Sequence, residues 1–235
     1  MKISISILCF NESKNLNILV KQSKKLLNKY KNLQIIFVDN GSSDQTSKML
    51  NKISKFKNMK CVFIKKNIGY GYGIIQGLKN SDGDIIGWTH GDDLNFYKKV
   101  LAILNLKFSD KNFFFKGYRK GERPLLDTFF SYSFNTISSI LLFKNLWEIT
   151  AHPTLFSKKL FIKYKNYLPY DFSIDLYLFF LAKKNKYQIK RLKFNYDKRK
   201  HGASSWNKNI FSKFKLSGIY LLQIFKLMYL NIFKI

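Results

Sequence analysis

Acidic residues are scarce in this chain: 14 Asp and Glu stand against 42 Lys and Arg, a formal charge of +28 over 235 residues. That imbalance favours an anionic partner, whether nucleic acid, phosphorylated metabolites or an acidic membrane surface. Much of the charge is Lys scattered among Asn, Ile and Phe along the whole length, so charge alone does not choose among the three. Cysteine is almost missing. Cys9 and Cys61 each sit in an apolar run that reads as a buried strand, which leaves no disulfide framework or metal knuckle and fits a reducing cytoplasm. No apolar run is a convincing membrane span. Residues 128–143 are uncharged but number only 16, and 210–235 carries Lys226 near its middle, which costs roughly 2.5 to 3.5 kcal/mol at a bilayer centre. The first residues alternate like a strand and lack the long apolar core and cleavage site of a signal peptide, so export is not expected. Internal repeats and flexible linkers are also missing.

What the chain does have is a hydrophobic content of 46%, enough to bury one substantial α/β core. Residues 3–10 read as a strand, 12–30 as a helix with apolar positions Leu16, Leu19, Val20 and Leu27, and 34–39 as a second strand. A helix over 43–56, a strand over 60–64, a helix over 72–79 and a strand over 84–89 continue the alternation. Such alternation predicts a mainly parallel, Rossmann-like sheet with helices on both faces. Ligands in such sheets bind beyond the carboxyl ends of the strands. The polar clusters Asn11-Glu12, Asp39-Asn40-Gly41-Ser42-Ser43-Asp44 and His90-Gly91-Asp92-Asp93 fall there, so three loops are expected to converge on one cleft.

Several residues in those loops suit chemistry. Asp39 projects from a strand end, either to read a nucleoside's donors or to close the following turn. Asp44 is placed to cap the next helix. The glycines of Asn67-Ile68-Gly69-Tyr70-Gly71-Tyr72-Gly73 match neither a Walker loop nor a dinucleotide fingerprint. Asp92 and Asp93 are adjacent on an extended segment and point opposite ways, so one of them, not both, is expected to bind an ion. Mg2+ or Mn2+ suits such a sparse acidic site, because it binds through one or two carboxylates plus substrate phosphates. Arg119, Arg123 and Arg199 either grip phosphate oxygens or form solvated basic loops. His90, His152 and His201 are too dispersed for a zinc site, and no nucleophile elbow is present. Asp175 opens an apolar helix-like run, as a general base or as a carboxylate stabilised by the helix dipole.

Taken in order, these segments resemble glycosyltransferase family 2, in particular the dolichyl-phosphate mannose synthase-like and polyprenyl-phosphate branch with the GT-A fold, over roughly residues 3–206. Leu8-Cys9-Phe10-Asn11-Glu12 is similar to the family's Pro-x-Tyr-Asn-Glu, and Val38-Asp39-Asn40-Gly41-Ser42-Ser43-Asp44-Gln45-Thr46 to its Asp-Asp-Gly-Ser-x-Asp-x-Thr. Residues 67–78 resemble its Gly-rich loop, 83–92 the strand into its Asp-x-Asp motif, Gly117-Tyr118-Arg119 its Gly-x-Arg, and Arg199-Lys200-His201-Gly202-Ala203-Ser204 its closing Arg-x-x-Gly-x-Ser. The chain departs from the pattern at three places: His90 replaces the first Asp of the metal motif, Leu8 the Pro of the first strand, and Ser205 a frequent Lys.

The resemblance implies that Phe10, Glu12 and Asp39 hold the nucleoside. Gly69 and Ser204 belong with the same donor site, Asp92 with Mg2+ or Mn2+, and Arg119 and Arg199 with donor or acceptor phosphate. His90 either ligates the ion or orients a phosphate or water beside it. The implied activity is transfer of a sugar from a nucleotide-sugar donor to a polyprenyl phosphate, with inversion. A sugar hydroxyl is the alternative acceptor, with Asp175 as its base. An impaired nucleotide-sugar binder is a non-enzymatic alternative. A basic nucleic-acid-binding protein is another, but no nucleic acid is expected, because none of the diagnostic motif spacings is present. A domain over 1–206 and an amphipathic segment over 207–235 lying on the inner face of the cytoplasmic membrane complete the expectation.

Overall fold

The computed structural model of the protein describes residues 1–53, 56–106, 112–196 and 210–232. Strand and helix alternate from the N-terminus: β1 (Ile3–Cys9), α1 (Ser13–Lys29), β2 (Leu33–Asp39), α2 (Thr46–Ile53), β3 (Met59–Phe63), α3 (Tyr70–Lys79), β4 (Ile85–His90) and α4 (Phe96–Leu104). The second half adds β5 (Phe113–Lys120), α5 (Leu125–Leu141), β6 (Thr154–Ser157), α6 (Lys158–Tyr164), α7 (Ile174–Lys184), β7 (Gln188–Asn195) and α8 (Ile210–Ile232). The strands form one sheet in the order β3-β2-β1-β4-β6-β5-β7. β1 pairs parallel with β2 and β4, β2 with β3, and β5 with β7; only β6 runs antiparallel, to β4 and β5.

The apolar runs of the strands follow from burial on both faces. Side chains alternate across the sheet. Ile35, Phe37, Phe113 and Phe115 pack with Leu16, Leu19, Val100 and Ile103 on one face. Ile86, Trp88, Phe114 and Phe156 pack with Ile74, Leu78, Leu176 and Phe179 on the other. Each such side chain contributes about 1.5–3 kcal/mol on burial. Cys9 is buried as its run predicts, but Cys61 is only half-buried, because β3 is an edge strand. Burial pushes the Cys9 thiol well up and the Cys61 thiol up to about 11, so neither is a ready nucleophile.

Two helix starts differ from the sequence reading. α2 begins at Thr46 rather than at 43, because the preceding turn is tied to the loop after β1. α3 begins at Tyr70, so the closely spaced glycines lie in its first turn. A Cβ on Gly71 would stand 2.3 Å from the Pro169 carbonyl oxygen, and one on Gly69 would stand 2.3 Å from that of Tyr170. The glycines thus let α3 approach backbone 169–171, whose Tyr170 carbonyl accepts the Tyr72 N–H at 3.0 Å.

The two apolar segments of the second half are helices that pack on each other. The Phe134 ring stacks on Tyr220 at 4.0 Å, Phe130 meets Phe214 edge-on at 5.7 Å, and Lys213 pairs with Asp127. Ile224 and Leu227 of α8 are buried in the core shared with α7. Among the described residues, no helix is long and apolar enough to cross a membrane.

Candidate active site

Three loops meet at the carboxyl ends of β1, β2 and β4. Asn11 takes a left-handed backbone conformation (φ 57°), and its side-chain oxygen accepts the Ser43 N–H at 2.8 Å. The Glu12 N–H reaches the Thr46 hydroxyl at 2.9 Å. Asp44 accepts the N–H groups of Thr46 (2.9 Å) and Ser13 (3.1 Å), so it serves the starts of α1 and α2 together. Burial alone would raise its carboxyl; the Thr46 and Ser13 hydrogen bonds prevail and hold it below the usual range. The third loop closes against the first: Gly91 donates to the Leu8 carbonyl at 2.8 Å, and a Cβ there would lie 2.9 Å from Glu12 Cγ.

Glu12 and Asp39 are both buried at this junction, and Phe10 is half-buried at the end of β1. Glu12 accepts from Asn15 at 2.5 Å. Asp39 accepts the Ser42 N–H at 3.0 Å and is also bonded by the Ser47 hydroxyl, so its carboxylate closes the turn after β2. Gly69 gives its carbonyl to the Asn40 amide at 3.2 Å, which places it beside the same turn.

The carboxylates that follow β4 are separated. Asp93 turns inward to Lys99 (2.8 Å) and the Thr89 hydroxyl (2.9 Å), while Asp92 is half-buried at the turn. Among the described residues, no group of three or more His, Cys, Asp or Glu could enclose a metal ion. Asp92, a half-buried carboxylate just past a strand end, is an oxygen donor of the kind that a hard divalent cation takes. His90 stands two residues away, with its Nε2 already engaged by the Tyr70 hydroxyl at 2.9 Å.

Behind His90 lies a buried polar network that the sequence reading did not find. The Tyr70 hydroxyl is 3.2 Å from Asp175 Oδ2, receives the Trp88 indole N–H at 3.3 Å, and lies 3.4 Å from His152 Nε2. Asp175 Oδ1 is paired with Lys116 Nζ at 3.0 Å; these side chains are 3% and 0% exposed, and Lys116 also donates to Thr154 at 2.9 Å. Burial pushes the Lys116 ammonium down and the charge of Asp175 pushes it back. Burial, aided by His90 and Lys116, holds His152 well below its ordinary value and therefore neutral at pH 7. Burial and Asp175 hold the Tyr70 phenol well above its own. The only sequence sign of this cluster is Lys116 ending the run Phe113-Phe114-Phe115, a charge at a position patterned as core.

A cationic cluster flanks this network at the end of β5. Arg119 donates through Nε to Glu148 at 2.6 Å and through Nη2 to Thr150 at 3.1 Å, and Arg123 approaches the same carboxylate at 3.8 Å. Arg191 donates to the Trp147 carbonyl at 2.7 Å. One buried carboxylate thus sits among three guanidinium groups, a surplus of positive charge suited to phosphate. Arg199 and Ser204 lie outside the described residues.

Comparison with known proteins bears on the family and the fold. The family model described as Glycosyl transferase family 2 matches residues 4–165, which includes every motif up to Arg119 and stops before Asp175. An uncharacterized glycosyltransferase of Rickettsia conorii is 36% identical over 114 residues, 48% of this chain and 18% of that protein. The undecaprenyl-phosphate 4-deoxy-4-formamido-L-arabinose transferase of Proteus mirabilis is 33% identical over 91 residues, 36% of this chain and 27% of that protein. The chain covers between 14% and 23% of the length of the Rickettsia typhi, conorii and felis relatives it matches. In fold, it superposes with a TM-score of 0.65 on glucosyl-3-phosphoglycerate synthase from Mycobacterium tuberculosis, crystallised with Mn2+, UDP and glucosyl-3-phosphoglycerate. That match is 14% identical and covers 98% of this chain and 79% of that one. The fold is therefore GT-A.

Proposed function

Because this chain belongs to glycosyl transferase family 2, we propose that it transfers a sugar from a nucleotide-sugar donor to the phosphate of a polyprenyl lipid, as in the polyprenyl-phosphate branch of that family. The observation that carries the acceptor is the environment of Asp175. A sugar hydroxyl must lose its proton as it attacks, which needs a carboxylate that can reach it and take that proton. Asp175 is buried, paired with Lys116 and hydrogen-bonded to Tyr70, so its charge is already committed inside the protein. A phosphate monoester brings its own anionic oxygen and needs no such base. By its name, the Proteus mirabilis relative acts on an undecaprenyl phosphate, which supports the same acceptor chemistry.

In this reading an acceptor phosphate oxygen attacks the anomeric carbon from the side opposite the nucleoside diphosphate, and the carbon inverts. Phe10, Glu12 and Asp39 hold the nucleoside, and Gly69 lies beside them. Asp92, with His90 next to it, would hold Mg2+ or Mn2+, which supplies positive charge to the diphosphate when bound. Arg119 offers the guanidinium hydrogens not used by Glu148 and Thr150 to the phosphate oxygens as negative charge develops on the leaving group. Ser204 goes with the donor site in this reading, and Arg199 with the donor or acceptor phosphate.

Support for the lipid's location comes from α5 and α8. Leu125 is 88% exposed, Phe129 65% and Phe225 56%, on helices that pack together and carry Lys213, Lys215 and Lys226. Apolar side chains at the acyl boundary with lysines reaching lipid phosphates suit a peripheral surface. On this reading 1–206 is the transferase domain and 207–235 an interfacial segment at the inner face of the cytoplasmic membrane.

The test is transfer of labelled sugar from a panel of nucleotide sugars, with Mg2+ or Mn2+ and polyprenyl phosphate in anionic vesicles. Label is expected in the lipid, and Asp92→Ala is expected to lose nearly all of it. Wild-type transfer by Asp92→Ala rejects the role of that carboxylate. Transfer to soluble glycans but not to the lipid phosphate rejects the acceptor.

A further inference from the structure

The Tyr70 hydroxyl has four polar partners and one proton, so its hydrogen bonds constrain one another. Trp88 Nε1–H can only donate, at 3.3 Å, and takes one lone pair of the phenol oxygen. The Asp175 carboxylate can only accept, at 3.2 Å. His90 Nε2, at 2.9 Å, can do either, according to where its ring proton sits. If the phenol proton went to His90, Asp175 would keep Lys116 on one oxygen but lose the Tyr70 donor on the other, in a site that is 3% exposed. Hydrogen bonds to an ionised acceptor are roughly twice as strong as neutral ones, and an unsatisfied buried charged group is the costlier loss. The proton therefore belongs to Asp175, and His90 must donate to the phenol oxygen.

His152 fits the same assignment. Its Nδ1 is buried without a hydrogen-bond partner, while Nε2 lies 3.4 Å from the Tyr70 oxygen and 3.9 Å from Asp175 Oδ1. With Trp88 and His90 on the two lone pairs of the phenol oxygen, His152 Nε2 is left to face Asp175 Oδ1 and does not compete for the Tyr70 proton. The Tyr70 ring is itself fixed, stacked on Phe172 at 4.7 Å between centroids.

We infer that Tyr70 is a positioning residue that holds the ring proton of neutral His90 on Nε2, leaving Nδ1 as the lone pair the imidazole can offer to the cation that accompanies the donor's diphosphate. This gives the histidine at the first acidic position of the family's metal motif a defined donor atom. The proton on Nε2 stands on the network alone; its consequence for the donor rests on the reading proposed above.

Two measurements decide it. Two-bond 15N–1H correlation spectra of histidine-labelled, metal-free protein at pH 8, with signals assigned by His90→Gln, His152→Gln and His201→Gln, report the tautomer in the wild-type chain. Nε2–H is expected for His90, with both tautomers populated in Tyr70→Phe. Nδ1–H, a mixture or a charged ring in the wild type overturns the inference. Titration with UDP and Mg2+ is expected to show binding roughly 10-fold weaker in Tyr70→Phe, the lower end for the loss of a group that orients a metal ligand. Equal affinity overturns the positioning role. If neither protein binds UDP, the donor reading falls, and the spectra still decide the tautomer.

Discussion

Replacing Lys116 with Met isolates the buried ion pair on which the acceptor assignment depends. The substitution keeps the length and apolar stem of the side chain and removes the ammonium, so Asp175 is left 3% exposed with Tyr70 as its remaining strong donor. Removing one partner of a buried pair costs about 3–5 kcal/mol, against a total stability of about 5–15 kcal/mol for a domain. The melting temperature of a chain this size moves by about 2–4 °C per kcal/mol, so a fall of roughly 6–20 °C is expected. Urea denaturation should show the same loss with an unchanged slope, since the folded surface is unaltered. The double variant Lys116→Met/Asp175→Leu should recover most of it, because an apolar pair of similar volume replaces an ion pair at little or no cost. A loss below about 1 kcal/mol in the single variant, or a double variant no more stable than the single, would refute the view that Asp175 is bound up as a structural charge.

Gly71→Ala sets helix propensity against packing. In an exposed helix it would stabilise by about 1 kcal/mol, but here the new Cβ stands 2.3 Å from the Pro169 carbonyl oxygen. A net loss of about 1–3 kcal/mol is expected, and a raised melting temperature would show that backbone 169–171 gives way freely. His152 makes stability depend on pH. Its folded pKa lies below the unfolded value of about 6.5, so beneath that pH the unfolded chain binds a proton the native chain does not. Stability is complete above about pH 6.5 and falls as pH drops toward the folded pKa, by up to about 1.4 kcal/mol per unit. In chelated buffer His152→Gln should flatten this slope; an unchanged slope assigns it to another group. At the membrane face, Phe129→Glu together with Phe225→Glu should weaken sedimentation with anionic vesicles by at least roughly 10-fold, since each buried aromatic contributes about 1.5–3 kcal/mol. Undiminished binding would place the contact elsewhere.

The alternation of strands and helices, the loops that converge at Asn11, Asp39 and Gly91, and the divergence of Asp92 and Asp93 were all legible in the chain itself. They depend on local periodicity, on turn chemistry and on which strand ends carry polar residues, all of which are written within a few neighbouring positions. The glycines at 69 and 71 were visible, but their reason was not, because the carbonyls they make room for come from a loop a hundred residues later. The partners of His90 were hidden in the same way. Tyr70, His152, Lys116 and Asp175 come from α3, the segment before β6, β5 and α7, and each reads separately as an ordinary core aromatic, a stray histidine, a basic residue and a helix-start acid. Only folding links them in a chain of contacts, each within 4 Å. Sequence composition determined that the chain as a whole would be cationic; tertiary packing decided that Asp175 is spent on a buried lysine, because the cost of burying a charge depends on neighbours that the order of residues does not name.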